Sequence, residues 1–313
     1  MAKISSDPVG TLSIGNVVTT GTILYRSNLK RYLQVSLRAT AWVVAIFASA
    51  IGLLFIGGIL YGITQSWLAT IPLGFVWFGL ALYLSAKCLT DRAVICRLAY
   101  QELIDAPETV AVATRQLLPR TWAFLRLSTL LGLYMFLIAM AGYILLILAI
   151  GLLVGMTIYL FKLSTENGIF IGLFSLLAIG LALLLIAFII RFYAAWFVAE
   201  LPLAIESNPS ASLSIRRSRQ LSNNAIRKLV LIITVAFLIT LPLSTIGAIP
   251  SWIGQFMTAS DTESTKIAGG FVTIAGFFVS IAIELLVMPF WQVIKAIVYF
   301  DLRNRQEGND LVI

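Results

Sequence analysis

Long charge-free stretches alternate with short polar breaks along this chain. No Asp, Glu, Lys or Arg stands between Arg38 and Lys87, and the run is broken once, at Gly62-Ile63-Thr64-Gln65-Ser66. A helix needs about 20 apolar residues to cross roughly 30 Å of hydrocarbon. This run therefore predicts a hairpin of two membrane helices, near residues 41–61 and 67–86. The same reading gives spans at 127–161, 168–190, 229–256 and 267–290, with turns at 162–167 and 261–266. The third and fifth stretches exceed what a bilayer requires, so they must tilt, kink or project. Pro242 and Pro289 are the predicted kink points, because proline removes a backbone donor and clashes with the preceding turn.

Between these hairpins lie polar connections with a pattern of their own. Residues 1–40 form an N-terminal segment in which Ile14, Val17, Val18, Leu24, Tyr25 and Tyr32 fall on one helical stripe. Arg26, Lys30 and Arg31 fall off it, as in a helix lying in the headgroup layer. The elbow at 87–126 has Asp105-Ala106-Pro107-Glu108, the signature of a capped helix start with Asp105 as cap. The elbow at 191–228 repeats it with Asn208-Pro209 and then carries Arg216, Arg217, Arg219, Arg227 and Lys228. Ser27-Asn28 followed by Lys30-Arg31 also resembles Ser222-Asn223 followed by Arg227-Lys228. The chain thus reads as three units, each an amphipathic elbow, a span, a tight turn and a second span.

Composition adds the class. Of 313 residues, 60% are hydrophobic and 12% charged, about half the charge of an ordinary soluble domain. That excludes a soluble globular, disordered or fibrous chain and predicts an all-α polytopic membrane protein of six helices. All 22 basic residues except Lys162 and Lys266 fall on one side of this topology. By the positive-inside rule that side, with both termini, is cytoplasmic, in a plasma membrane or an internal one. About forty mixed residues precede the first apolar run, unlike a secretory signal. The net charge of +8 needs no nucleic acid to explain it, since the excess lies at the membrane surface.

Candidate chemistry is sparse. There is no histidine, and Cys88 and Cys96 are too few and wrongly spaced for zinc. No phosphate loop, nucleophile elbow or metalloprotease motif occurs, so no catalytic, cofactor or metal residue is assigned. Glu284 stands inside the sixth span, where a bare charge costs roughly 2.5–3.5 kcal/mol. It is either paired, with Arg191 or Arg126 as the nearest cations, or a coupling carboxylate for transport. The tail, 301–313, alternates Asp301, Arg303, Arg305 and Glu307, which predicts a clip onto the elbows. Gly58/Gly62, Gly151/Gly155 and Gly168/Gly172 have the spacing that lets helices approach closely, within the chain or across a dimer seam.

Three stretches carry a family resemblance. The segment from Glu200 to Leu221, the ending Tyr299-Phe300-Asp301-Leu302-Arg303-Asn304-Arg305-Gln306-Glu307-Gly308-Asn309-Asp310-Leu311, and Leu12-Ser13-Ile14-Gly15-Asn16 with Tyr25-Arg26-Ser27-Asn28 fit one pattern. It is similar to that of bacterial integral membrane proteins resembling the membrane domain of glycerophosphodiester phosphodiesterases. The resemblance implies a six-helix membrane module without the catalytic barrel, whose histidines and metal-binding carboxylates this chain lacks. The function expected from all this is a non-enzymatic scaffold or accessory module. Its basic elbow layer would bind lipid headgroups or a membrane-protein partner. The alternative is a small transporter or channel with a pathway near Glu284. Oligomeric state is open.

Overall fold

The computed structural model describes residues 14–161, 168–206 and 210–309. The described residues hold ten α-helices and no strand: α1 (Ile14–Ser27), α2 (Leu29–Thr64), α3 (Ile71–Leu103), α4 (Val110–Leu117), α5 (Thr121–Phe161), α6 (Gly168–Trp196), α7 (Glu200–Ile205), α8 (Ala211–Ser222), α9 (Ile226–Thr258) and α10 (Glu263–Asn309). Six of them, α2, α3, α5, α6, α9 and α10, are long and apolar enough to cross a membrane. The architecture is all-α and polytopic.

Local chemistry sets the breaks. α2 ends because Gln65 turns left-handed (φ 52°) and its N–H closes on the Tyr61 carbonyl at 2.8 Å. A short 3₁₀ turn over Trp67–Thr70 follows, and Pro72 sits in the first turn of α3, where its missing N–H costs nothing. Asp105 does not cap α4. It is left-handed too (φ 54°) and closes α3, with the next N–H, of Ala106, reaching the Gln101 carbonyl at 3.0 Å. The α4 cap is Thr109, whose hydroxyl accepts from Val112 N–H. The α8 cap is Ser210, accepting from Leu213 N–H; the expected cap, Asn208, lies outside the described residues.

The three-unit pattern is visible in this order. α1, α4 and α8 each precede a long helix, α2, α5 and α9, and each long helix returns through α3, α6 or α10. In the first and third units the third residue of the first long helix, Arg31 or Lys228, pairs with an acid near the end of the second, Glu102 or Asp301. The helices that return do not stop where the apolar stretch ends. α3 continues to Leu103 and α10 to Asn309, so the predicted elbows and tail are largely helix extension.

Burial divides the molecule into two layers. The large fully buried side chains, among them Ile95, Leu201, Ile294, Ile297 and Tyr299, lie in the polar half built from these extensions and the short helices. Along the apolar spans side chains point outward, with Leu54 at 76% and Phe256 at 81% exposed, as a lipid-facing surface requires. α1 belongs to the buried layer. Its stripe, Val17, Val18 and Leu24, packs inward, and Gly21 lies so close to α10 that a Cβ there would meet Ile294 at 2.5 Å. The expected headgroup-layer helix is thus a core helix, and Tyr32 lies beyond the Asn28 joint, on α2.

The helix prolines explain three cross-links. Pro289 has no N–H, which frees the Leu285 carbonyl one turn back. Ser36 donates its hydroxyl to that carbonyl at 2.8 Å, and the Tyr25 hydroxyl donates to the neighbouring Leu286 carbonyl at 2.9 Å. Burial pushes the Tyr25 phenol above its usual pKa, which keeps that donor protonated. Pro250 disturbs α9 likewise, and Ser280 donates to the Gly247 carbonyl at 2.8 Å. Ser36→Ala is expected to cost about 1–3 kcal/mol, the penalty for orphaning a buried acceptor. Thermal unfolding in detergent checks it, with the exposed Ser66→Ala as the unchanged control.

The predicted glycine pairs are not the packing seam. A Cβ on Gly58, Gly62, Gly151, Gly155 or Gly172 would meet nothing within 4 Å, and the side-chain surroundings of residue 168 lie outside those described. The close approach is between α9 and α10, where Gly247 and Gly254 face Gly269 and Gly276. Both pairs are seven residues apart, the repeat that keeps one seam facing its partner in a left-handed crossing.

Candidate functional site

The polar half is a layer of carboxylates turned inward, each gripped by cations from another unit or helix. Asp91, on α3, accepts from Arg38 Nε at 3.0 Å and Nη2 at 2.5 Å and from Trp42 Nε1 at 2.9 Å. Arg38 also donates to the Thr114 hydroxyl at 3.1 Å, so this knot ties α2, α3 and α4. Glu108 accepts two bonds from Arg97, at 2.9 and 2.7 Å, and Arg97 donates a third to the Ala204 carbonyl at 2.9 Å. Arg97 thereby joins the first unit to the second. Arg120 does the same by donating to the carbonyls of Leu203 and Glu206 at 2.9 and 2.8 Å.

The second and third units are joined through α10. Lys295 pairs with Glu200 at 3.1 Å and lies 5.8 Å from the centre of the Phe197 ring. This pair stands in the wall of a cavity of about 250 Å³ that also touches Leu131, Tyr193 and Trp196. The Glu206 carboxylate accepts from the Tyr299 hydroxyl at 3.0 Å and faces Arg217 at 3.7 Å. Arg303 donates to the Tyr100 hydroxyl at 3.0 Å, linking the third unit back to the first. Asp301, 7% exposed, takes Lys228 and Arg305, both at 3.1 Å.

The consequence for the surface is electrostatic. Asp91, Glu102, Glu108, Glu200, Glu206 and Asp301 are all neutralised from within. Arg26, Lys30, Arg115, Arg126, Arg191, Arg216, Arg219 and Arg227 are exposed and form no ion pair among the described residues. Positive charge therefore collects on the outside of the layer, while the acids hold it together inside. Two clefts concentrate it. One, of about 440 Å³, is lined by Arg191, Arg227, Lys228 and Arg305. The other, of about 480 Å³, brings Arg216 and Arg219 above the aromatic rings of Tyr134, Phe192 and Trp196.

The residues singled out from sequence divide accordingly. Arg26, Lys30, Arg216, Arg219 and Arg227 are on the open basic face. Arg31, Arg217 and Lys228 instead spend their charge on Glu102, Glu206 and Asp301. Of the tail residues, Asp301 does reach an elbow residue, Lys228, but it does so as part of α10, and Arg305 pairs with it along the same helix. The side chain of Glu307 lies outside the described residues.

Glu284 is paired with neither Arg191 nor Arg126. It is exposed, one turn before α10 enters the buried layer, and forms no ion pair among the described residues. The cation whose field reaches it is Arg92 on α3. The expected partners are too far along the chain's geometry: Arg191 lines the cleft with Arg227, and none of the cavities described here is lined by Glu284.

Sequence reasoning missed Arg97, Arg120, Glu200 and Lys295, the principal staples. A signal was present. Arg97 stands between Cys96 and Leu98, and Lys295 between Ile294 and Ala296, single charges embedded in apolar helix, which must be buried and paired. Among the described residues no three His, Cys, Asp or Glu side chains gather as a metal site. Compared with models of protein families, with characterised proteins and with solved structures, the chain finds no match.

Proposed function

We propose that this protein is a non-enzymatic membrane scaffold or accessory module whose basic layer faces the cytoplasm and binds anionic lipid headgroups. One observation carries the reading: the layer's carboxylates are consumed inside it, and the unpaired arginines and lysines stand on its outer face. Basic groups near an anionic leaflet contribute roughly 1 kcal/mol each, so several acting together hold a charged lipid shell. The similarity of the chain's opening, middle and ending to a membrane module known from fused phosphodiesterases belongs to the same proposal, as does the absence of catalysis.

The test is retention of lipid. The protein is reconstituted in nanodiscs of mixed phosphatidylcholine and phosphatidylglycerol, then extracted gently, and its retained lipids are quantified. Phosphatidylglycerol should be enriched, and the enrichment should fall with added salt. A variant with Arg26, Lys30, Arg216, Arg219 and Arg227 all changed to Gln should lose most of it while keeping its melting temperature. Equal retention of both lipids by the unmodified protein would refute the reading.

A further inference from the structure

The cleft under Arg216 and Arg219 does not end at the polar layer. Leu137 and Ile138, at its floor, are also the upper wall of a second furrow of about 580 Å³ that runs between α5 and α6. That furrow follows α5 from Leu137 to Ala149 and is closed on the other side by Leu181, Leu185 and Phe188 of α6. At the helical rise per residue this stretch of α5 is about 18 Å long. One leaflet of a roughly 30 Å hydrocarbon core is about 15 Å deep. The furrow therefore matches the length of one acyl chain layer, and it starts where the charge is.

The upper end has the chemistry of a headgroup site. Arg216 and Arg219 are three residues apart on α8 and share a helix face, with Ser212 one turn before them. Neither meets an acid among the described residues, whereas Arg217 between them turns to Glu206. Guanidinium groups bind phosphate oxygens by paired, charge-assisted hydrogen bonds. Below them Trp196 packs against Tyr134 and Phe192, with ring centres 5.8 and 5.7 Å apart. Such amphipathic rings mark the boundary between headgroups and hydrocarbon. Charge above, aromatics at the boundary and an apolar trough beneath repeat the profile of a phospholipid.

We propose that this composite furrow seats a single anionic phospholipid, its phosphate on Arg216 and Arg219 and one acyl chain between α5 and α6. The assignment rests on the reading of the basic layer as a headgroup surface and narrows it to one site. The phosphate alone could come from a soluble ester, but the trough below it selects the lipid.

The experiment uses the full chain in phosphatidylcholine nanodiscs doped with phosphatidylglycerol carrying a photoactivatable acyl chain. After illumination, labelled peptides are mapped. Labelling is expected to concentrate at 137–149 and 181–188. Unlabelled phosphatidylglycerol should compete, and glycerol phosphate should not. R216Q/R219Q should lower the labelling about tenfold or more. Ala141→Trp, which fills the trough without touching the arginines, should do the same while leaving the overall phosphatidylglycerol enrichment of the protein intact. If a photoactivatable phosphatidylcholine labels these segments equally, or if both variants label like the parent, the furrow holds only bulk lipid and the proposal falls. Persistent overall enrichment would then leave the headgroup-surface reading standing, and its absence would remove both. Competition by glycerol phosphate would also overturn the assignment, since it would make the site one for a soluble ester.

Discussion

Replacing Arg97 by Met is expected to destabilise the protein by about 3–5 kcal/mol, the cost of stranding a buried charge. Arg97 and Glu108 are 12% and 18% exposed, and two hydrogen bonds join them. The third, to the Ala204 carbonyl, ties in the helix that follows α6. Removing the guanidinium leaves Glu108 without its cation and Ala204 without its donor in the same variant. Burial of the two charges is unfavourable in itself, so the pair stabilises the fold only while both members are present. The double variant R97M/E108L should therefore recover a large part of the loss. Melting curves of the two single variants and the double in one detergent decide this. Additive losses would mean that the pair is not an energetic unit.

Gly276→Leu is the second large effect. A Cβ at Gly276 would stand 2.4 Å from the Ser251 nitrogen and 2.9 Å from the Pro250 carbonyl carbon. These are backbone atoms of a helix and cannot swing aside as a side chain end would. Overpacking a core usually costs about 1–3 kcal/mol because neighbours shift. Here α9 and α10 must separate along the seam that Gly247, Gly254 and Gly269 also line, so the loss should lie above that range. The variant is expected to yield little monodisperse protein on size exclusion. Gly58→Leu and Gly62→Leu, at sites where a Cβ meets nothing within 4 Å, should elute and melt like the parent, within about 0.5 kcal/mol. A normal Gly276→Leu protein would refute the seam.

The six spans could be read from sequence because hydrocarbon admits almost no charge, and charge-free runs are therefore delimited by their own edges. The break near Gln65 and the proline positions followed from the same simple sterics. The glycine seam did not, since spacing within one helix says nothing about which face meets another. The elbows misled for a different reason. Lys87, Arg92 and Arg97 look like the residues of a solvated connection, yet α3 runs straight through them because their surroundings are a second, polar core. Capping residues shifted by a few positions for a related cause: Glu108 looks like part of a capping box but is claimed by Arg97. Which cation takes which acid is a three-dimensional matter. Hence Arg216 and Arg219 could be named as surface charge from sequence, whereas the furrow beneath them depends on α5 and α6 diverging.

The docking of α1 on α10 fixes an order of events during biosynthesis. Val17, Gly21 and Leu24 emerge early from the ribosome, but the residues that cover them, around Ile294 and Ile297, are among the last to be made. Until then the first helix has an uncovered apolar face, and the polar layer lacks the Glu200 and Tyr100 partners that α10 brings. Chains cut short before residue 290 would thus be defective at both ends at once, and a quality-control protease could recognise them at the first helix as readily as at the last.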